Sequence, residues 1–295
     1  AVICYRGYMH SLEYAKDRLQ GRKASEKNPE SPQVPIIDHA DVRRMLLAQK
    51  AYSEGGLALC LYGARLMDDQ HTHPDDQKRM EAGKLLDLLT PVIKAWPSEY
   101  GPKANDLAIQ VYGGAGYTRE YPVEQCWRDN RLNPIHEGTN GIQALDLLGR
   151  KIWQDQSHGL QLLMQEMQAD LQAATTERCQ QWALSLSETL QQAVKVTQSL
   201  GKSLMGGEVD KTLANASCYL HLFGHIIVAW MWLRQANASA NALASANSDS
   251  ERNFYQGKLQ AAQYFFHWEL PTVAQDLVLL RNQDDTCLNM KADWF

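Results

Sequence analysis

The chain lacks any excess of positive charge. Its 295 residues carry 29 Lys and Arg against 34 Asp and Glu, a net charge of −5 with a sequence pI near 6.0. A surface with that balance offers no electrostatic footprint for a polyanion, so neither nucleic acid nor an anionic membrane face is an expected partner. Paired cysteines are missing as well. The six cysteines, at 4, 60, 126, 179, 218 and 287, are scattered and contain no C-x-x-C, which predicts reduced thiols in a cytoplasmic protein rather than a disulfide framework. No uninterrupted apolar run approaches the roughly 20 residues that cross a bilayer, and the start carries no basic stretch followed by an apolar one, so neither a membrane span nor a secretion signal is expected. There is no Walker loop, and no G-x-G-x-x-G follows a strand pattern. An initiating Met is absent too: Ala1-Val-Ile-Cys-Tyr-Arg6 opens inside a helical pattern in which Tyr5, Tyr8, Leu12, Ala15 and Leu19 recur at three and four. The expectation is the later part of a longer protein.

What is present reads as helix nearly throughout. With 44% hydrophobic and 21% charged residues, the chain can bury one large core or two modest ones. Residues 21–35 carry Pro29, Pro32 and Pro35 and predict a loop. From Asp38 to about Met67 a long helix is expected, with Val42, Met45, Leu46, Leu57 and Leu61 inward and Gly55-Gly56 in its middle. Two further helices are expected at about 77–94 and 102–111. Between them and the first lies a turn, residues 68–76, with four Asp and two His; it could bind a metal, but a solvated loop with helix caps is the better reading. Beyond Arg150, Ala183, Leu186, Leu190, Ala193, Thr197, Leu200 and Leu204 form a bundle seam that Gly206-Gly207 ends. The next helix carries Ala216, Leu220, Phe223, Ile227 and Trp230, and the Ala/Ser/Asn-rich residues 235–248 predict a mobile connection. A last helix carries Tyr255, Leu259, Ala262, Phe266, Val273, Leu277 and Leu280, with a kink at Pro271. His221 and His225 lie four apart without the Glu of H-E-x-x-H, and read as packed rather than metal-ligating. Aromatics at 223, 230, 232, 264, 265, 266 and 268 read as core.

The chemistry concentrates in one stretch. Gln110-Val-Tyr-Gly-Gly-Ala-Gly-Tyr117 brings three glycines to a helix end, where backbone can meet a ligand or adopt positive φ. Glu137-Gly-Thr-Asn-Gly-Ile-Gln143 follows, in which Thr139 can cap a helix carrying Ile142, Leu145, Leu148 and Ile152 on one stripe. A carboxylate at such a junction, partly desolvated, has the raised pKa that proton abstraction beside a carbonyl requires.

Taken with Tyr121-Pro-Val-Glu124 and Arg128-Asp-Asn-Arg131, these motifs in this order and spacing resemble the C-terminal catalytic helical domain of acyl-CoA dehydrogenases. Tyr14-Ala-Lys-Asp-Arg-Leu-Gln-Gly21 and the stretch from Val34 to Leu46 resemble its preceding helices, so the likeness covers residues 1–153. The helical residues 154–295 resemble the extra C-terminal domain of larger bacterial members, among them the 3-methylmercaptopropionyl-CoA dehydrogenases. The resemblance implies an all-α fold: an up-and-down helical bundle over 1–153, truncated at its N-terminus, and a second antiparallel helical domain over 154–295. It implies an oxidoreductase that desaturates an acyl-CoA at its α,β positions, with Glu137 as base and hydride passing to FAD. Electrons would go on to an electron-transfer flavoprotein, and the protein would be a homodimer or higher homo-oligomer. Arg18, Gln20, Gln110, Val111, Tyr112, Gly113, Gly114, Thr139 and Asn140 match FAD-binding positions, and Gly138 a substrate contact; no metal is implied. Arg18 and the loop 110–114 are expected to serve different subunits' cofactors. Arg128 and Asp129 are expected to pin the loop to the bundle. Two positions depart from the family: Gly21 stands where it has Phe, and Gly141 where shorter enzymes have a flavin-contacting Gln. Two other readings compete: a DNA-binding flavoprotein of the alkylation response, and a non-catalytic helical interaction module. The first needs a basic C-terminal domain, whereas residues 151–295 hold 10 Lys and Arg against 14 Asp and Glu.

Overall fold

A helix starting at Val2 places small residues among its apolar ones, which lets it come close to a neighbour. In a computed structural model of the chain, which describes residues 1–136 and 138–295, helix α1 (Val2–Asp17) buries Cys4, Gly7, Tyr8, Ser11 and Ala15. Of the expected stripe, Tyr8 and Ala15 are buried, whereas Tyr5 is 40% and Leu19 53% exposed. The buried face includes Gly7 and Ser11, where apolar spacing gives no signal. Helices α2 (Ala40–Thr72) and α3 (Asp76–Tyr112) follow. A 3-10 turn over Gly113–Tyr117 then leads to α4 (Val123–Arg131). No strand occurs among the described residues; a lone bridge joins Leu19 and Pro35. The fold is all-α, as the sequence predicts.

Three expectations for this half need correction. Leu57 and Leu61, expected inward, are 38% and 62% exposed. Helix α2 runs five residues beyond Met67 into the acidic turn, so Asp68, Asp69 and His71 belong to its last turn. Helix α3 is one helix of 37 residues where two were expected. Pro91, Pro97 and Pro102 each remove one N–H from the ladder, yet they are spaced widely enough for the intervening bonds to carry the helix on.

Contacts divide the chain into two units, one of Ala1–Leu57 with Pro97–Glu137 and one of Ala58–Trp96 with Gly138–Phe295. The first is organised around Tyr8, Ala15, Ile36, Met45, Leu46 and Val111, with Ala108, Tyr112 and Val123 beside them. A buried ladder of amides crosses it: Asn133 Nδ2 donates to Asn130, and Asn130 Nδ2 donates to Asn105 Oδ1, each at 2.8 Å.

The second unit is built on α9 (Ala216–Leu243), which touches α5 (Asn140–Gly149), α6 (Gln154–Gln172), α7 (Glu177–Met205), α10 (Asp249–Tyr264) and α11 (Ala274–Asn282). Short helices α8 (Val209–Leu213) and α12 (Thr286–Asn289) complete it. Trp230 and Trp232 have no exposed surface, and Tyr219 almost none. By length and composition α9 could cross a membrane, although no uninterrupted apolar run marks it. Yet 83% of its most apolar window is buried within the protein, and a helix apolar all round is what the centre of a core requires. The α7 seam is buried from Ala183 to Leu200, and the helix stops at Gly206-Gly207, where Gly207 takes φ 88. Residues 235–243, expected to be mobile, continue α9: alanine favours helix, and Ala236 and Ser239 are buried. The kink at Pro271 is present, as a π turn over Phe265–Glu269 followed by a 3-10 turn over Leu270–Val273. Helix α5 buries Ala144, Leu147 and Leu148; of the expected stripe Leu148 and Ile152 are buried, whereas Ile142 and Leu145 are 56% and 44% exposed.

Candidate functional site

Two short segments fix the first wall of a cleft in the first unit. At the end of α1 the chain turns extended at Arg18 (φ −70, ψ 115). The segment from Arg18 to Gly21 then pairs with residues 34–36. Ile36 N donates to Arg18 O at 2.8 Å, Gln20 N to Val34 O at 3.0 Å and Val34 N to Gly21 O at 3.1 Å. In an extended segment alternate residues share a side, so Arg18 and Gln20 face one way and Leu19 the other. Gly21 has φ +69, and a side chain there would meet His39 Nε2 at 3.3 Å. That imidazole donates to the Gln20 carbonyl at 2.8 Å.

The second wall is the end of α3 and the turn after it. Gly113 lies in the left-handed region at φ +61, which ends the helix. Its neighbour Gly114 has no such constraint, and a Cβ on either residue would meet nothing within 4 Å. Bare backbone therefore faces open space. Gly116 is glycine for another reason: a Cβ there would lie 2.6 Å from the Ile109 carbonyl oxygen. Tyr112 stacks on Tyr14 with ring centroids 4.0 Å apart, and Tyr121 stands 5.3 Å from Tyr112. Burial pushes the Tyr112 phenol up.

These walls enclose an open cleft of about 670 Å³. Seven of the sequence-predicted cofactor residues line it: Arg18, Gln20, Gln110, Val111, Tyr112, Gly113 and Gly114. One chain thus holds both Arg18 and the loop 110–114 on one cleft. Sequence reasoning gave no role to Tyr14, His39 or Tyr121, which also line it. Their only signal was position within the quoted motifs. The Arg18 guanidinium is exposed and meets no carboxylate among the described residues, so the cleft offers a fork of donors to an anion.

The remaining predicted residues belong to the second unit, where Thr139 and Asn140 start α5. Thr139 occupies the cap position (φ −49, ψ 160), but its hydroxyl makes no capping bond; its carbonyl accepts from Gln143 N at 3.0 Å. Asn140 Oδ1 accepts from Lys94 Nζ at 3.5 Å, and burial lowers that ammonium's pKa. Gly138 has φ +69 and accepts from Gln143 Nε2 at 3.2 Å. Glu137, the predicted base, lies outside the described residues.

Other candidates resolve into packing. Arg128 pairs with Glu124 of its own helix at 2.9 Å instead of pinning the loop. In the acidic turn, Asp75 Oδ1 accepts from Gln77 N at 2.8 Å and Asp76 pairs with Arg79. No group of three His, Cys, Asp or Glu with metal-binding geometry occurs among the described residues. His221 is held by Asp276 at 2.5 Å, and His225, fully buried, donates to the His221 carbonyl at 3.2 Å.

Residues 1–153 match the family described as acyl-CoA dehydrogenase, C-terminal domain, and residues 163–291 the one described as acetyl-CoA dehydrogenase C-terminal like. A broad-specificity linear acyl-CoA dehydrogenase of Mycobacterium tuberculosis is 32% identical over 294 residues, covering 96% of this chain and 48% of that protein. The 3-methylmercaptopropionyl-CoA dehydrogenase of Ruegeria pomeroyi is 32% identical over 270 residues, covering 90% and 44%. The chain therefore spans about half the length of the curated relatives it matches. Among solved structures, ACDH-11 of Caenorhabditis elegans in complex with C11-CoA superposes with a TM-score of 0.71 at 18% identity, covering 90% of this chain and 40% of that one. An acyl-CoA dehydrogenase of Bacillus anthracis complexed with FAD gives 0.69 at 18%, covering 94% and 46%. At such identities the likeness is one of fold.

Proposed function

Starting from the fact that this chain belongs to the acyl-CoA dehydrogenase family, we propose that it is the C-terminal part of an FAD-dependent enzyme that desaturates an acyl-CoA thioester. The observation that carries the reading is the single cleft that gathers Arg18, Gln20 and residues 110–114. Its chemistry suits FAD: an unpaired guanidinium for the pyrophosphate, bare backbone at Gly113 and Gly114 for close approach, and aromatic faces from Tyr14, Tyr112 and Tyr121. Bound FAD would accept the β-hydrogen of the acyl chain as hydride.

The chain's own part is the other hydrogen. Glu137 takes the α-proton onto its carboxylate as the Cα–H bond electrons move into the new double bond. An α-carbon acid is too weak for a solvated carboxylate, so Glu137 must act from a desolvated place while N–H groups stabilise the thioester oxygen. Gly138, beside it, supports this with its positive φ: a side chain there would be strained and would meet Gln143 Nε2 at 2.5 Å. Thr139 and Asn140 hold the helix start that presents backbone N–H groups to a polar ligand. In this reading residues 154–295 form an appended helical domain, and the separate family match over 163–291 supports that division. The whole protein is a cytoplasmic homo-oligomer that passes electrons to an electron-transfer flavoprotein.

The test is Glu137→Gln in the full-length protein. The amide keeps shape and most hydrogen bonds, so the flavin spectrum should be retained while kcat for the best acyl-CoA falls by at least about 10³. Near-normal turnover would overturn the assignment.

A further inference from the structure

Two thiols that this reading leaves unused lie on neighbouring segments at the head of α9. Cys218 lies in its first turn, partly exposed, and Cys287 lies in α12, exposed; neither is in a disulfide. Asn215, three residues before Cys218, donates from Nδ2 to the carbonyl of Asp284 at 2.6 Å. Asp284 is itself three residues before Cys287, so one turn beyond a shared hydrogen bond each strand of chain carries a cysteine. The reversal that sets this register is Gln283, left-handed at φ 46, whose Nε2 donates to Ser203 Oγ at 2.8 Å. The turn into α12 is thereby tied to both α7 and α9.

The two thiols also feel each other: charge on Cys287 opposes ionisation of Cys218. The Asp276 carboxylate, paired with His221 at 2.5 Å, accepts the Cys218 thiol hydrogen as well. Burial and that carboxylate keep Cys218 protonated, whereas Cys287 faces solvent. The pair is asymmetric, with one exposed sulfur able to react first and one sheltered sulfur able to follow.

We propose that Cys218 and Cys287 form a dithiol site that closes to an intramolecular disulfide by exchange with a small disulfide such as oxidised glutathione. The Cys287 thiolate attacks one sulfur of the reagent, forming a mixed disulfide and expelling one glutathione thiolate. The Cys218 sulfur, its proton passing to the Asp276 carboxylate, then attacks the Cys287 sulfur and expels the second glutathione as its thiolate. Two protein thiols are oxidised, one disulfide reagent is reduced to two thiols, and the protons from Cys287 and Cys218 end on the glutathiones. Closure fastens the chain end, residues 283–295, to the head of the unit's central helix.

Equilibrating the purified chain with oxidised glutathione, followed by intact mass and peptide mapping under non-reducing conditions, tests this. The expected product has lost two hydrogens and yields a cross-linked peptide pair containing Cys218 and Cys287. Cys287→Ser should stop the reaction at this site, and Cys218→Ser should trap a stable glutathione adduct on Cys287. A wild-type product carrying only that adduct, a dimer linked through Cys287, or no reaction in excess reagent would each overturn the proposal. Both variants alter surface or half-exposed positions, and circular dichroism of each checks that the fold is kept.

Discussion

Replacing Gly7 by alanine sets two effects of opposite sign against each other. Alanine favours a helix over glycine by about 1 kcal/mol, so on propensity alone Gly7→Ala should stabilise α1. Tertiary packing says otherwise. The new Cβ would sit 2.2 Å from Asn105 Nδ2 and 3.4 Å from its Cγ. Asn105 has no exposed surface and no free direction to move, since Nδ2 donates to the Ile3 carbonyl at 3.3 Å and Oδ1 accepts from Asn130 at 2.8 Å. Overpacking of this kind costs about 1–3 kcal/mol, and a displaced buried amide loses partners worth about 1–3 kcal/mol more. Against about 1 kcal/mol of propensity, the net expectation is a loss of about 1–5 kcal/mol. Urea unfolding followed by circular dichroism measures it. A double-mutant cycle with Asn105→Ala, which removes the obstructed group, should return about 1–3 kcal/mol of coupling. A variant as stable as the parent, or more so, would refute the reasoning. The same contact joins the helix that leads to Arg18 to the helix that ends at residues 110–114, so nucleotide binding in the full-length protein should weaken in parallel.

Arg18→Ala in the full-length protein should weaken FAD binding by about 10- to 100-fold, the worth of one or two charge-assisted hydrogen bonds, with Arg18→Lys intermediate; unchanged affinity in a flavin-fluorescence titration would remove Arg18 from the site. Residues 1–295 alone should bind FAD weakly, because half of the relatives' length is absent and ordering costs fall on few contacts; stoichiometric submicromolar binding would contradict this. Tyr62 is pushed up to about 12 by burial and the Glu166 and Asp170 carboxylates, against the pull of Arg234 and Arg65. Its phenol stays neutral in the folded state while the unfolded chain ionises near pH 10, so this stability is full below about pH 10 and declines by about 2–3 kcal/mol towards pH 12. Tyr62→Phe should flatten that part of the alkaline unfolding curve.

The linked motifs from Gln110 to Gln143 were legible because several short spacings had to hold together, and a ligand-facing backbone leaves glycines where a core would not. That Arg18 and residues 110–114 share a cleft was not legible, since it depends on the pairing of residues 18–21 with 34–36, which no local pattern announces. Helix α3 was read as two because proline counts against a helix in any window, while the bonds that span three prolines are visible only in three dimensions. In α1 the closest packing falls on Gly7 and Ser11, residues without hydrophobic weight. The burial of α9 was half-legible: its apolar residues exceed one face, which marks a centre but does not say what surrounds it.

The pairing at Leu19 and Pro35 also closes the chain between them into a loop with a narrow neck. Arg22, inside that loop, donates to the carbonyls of Ser31 and Pro29, while the neck bonds at Gln20, Gly21 and Val34 carry the geometry of the cleft wall. Length added inside a closed neck is inexpensive, at about 0.6 kcal/mol per doubling. Residues 24–28 are therefore the place where a fluorophore, an affinity tag or a whole inserted domain can be carried while Arg18 and Gln20 keep their positions.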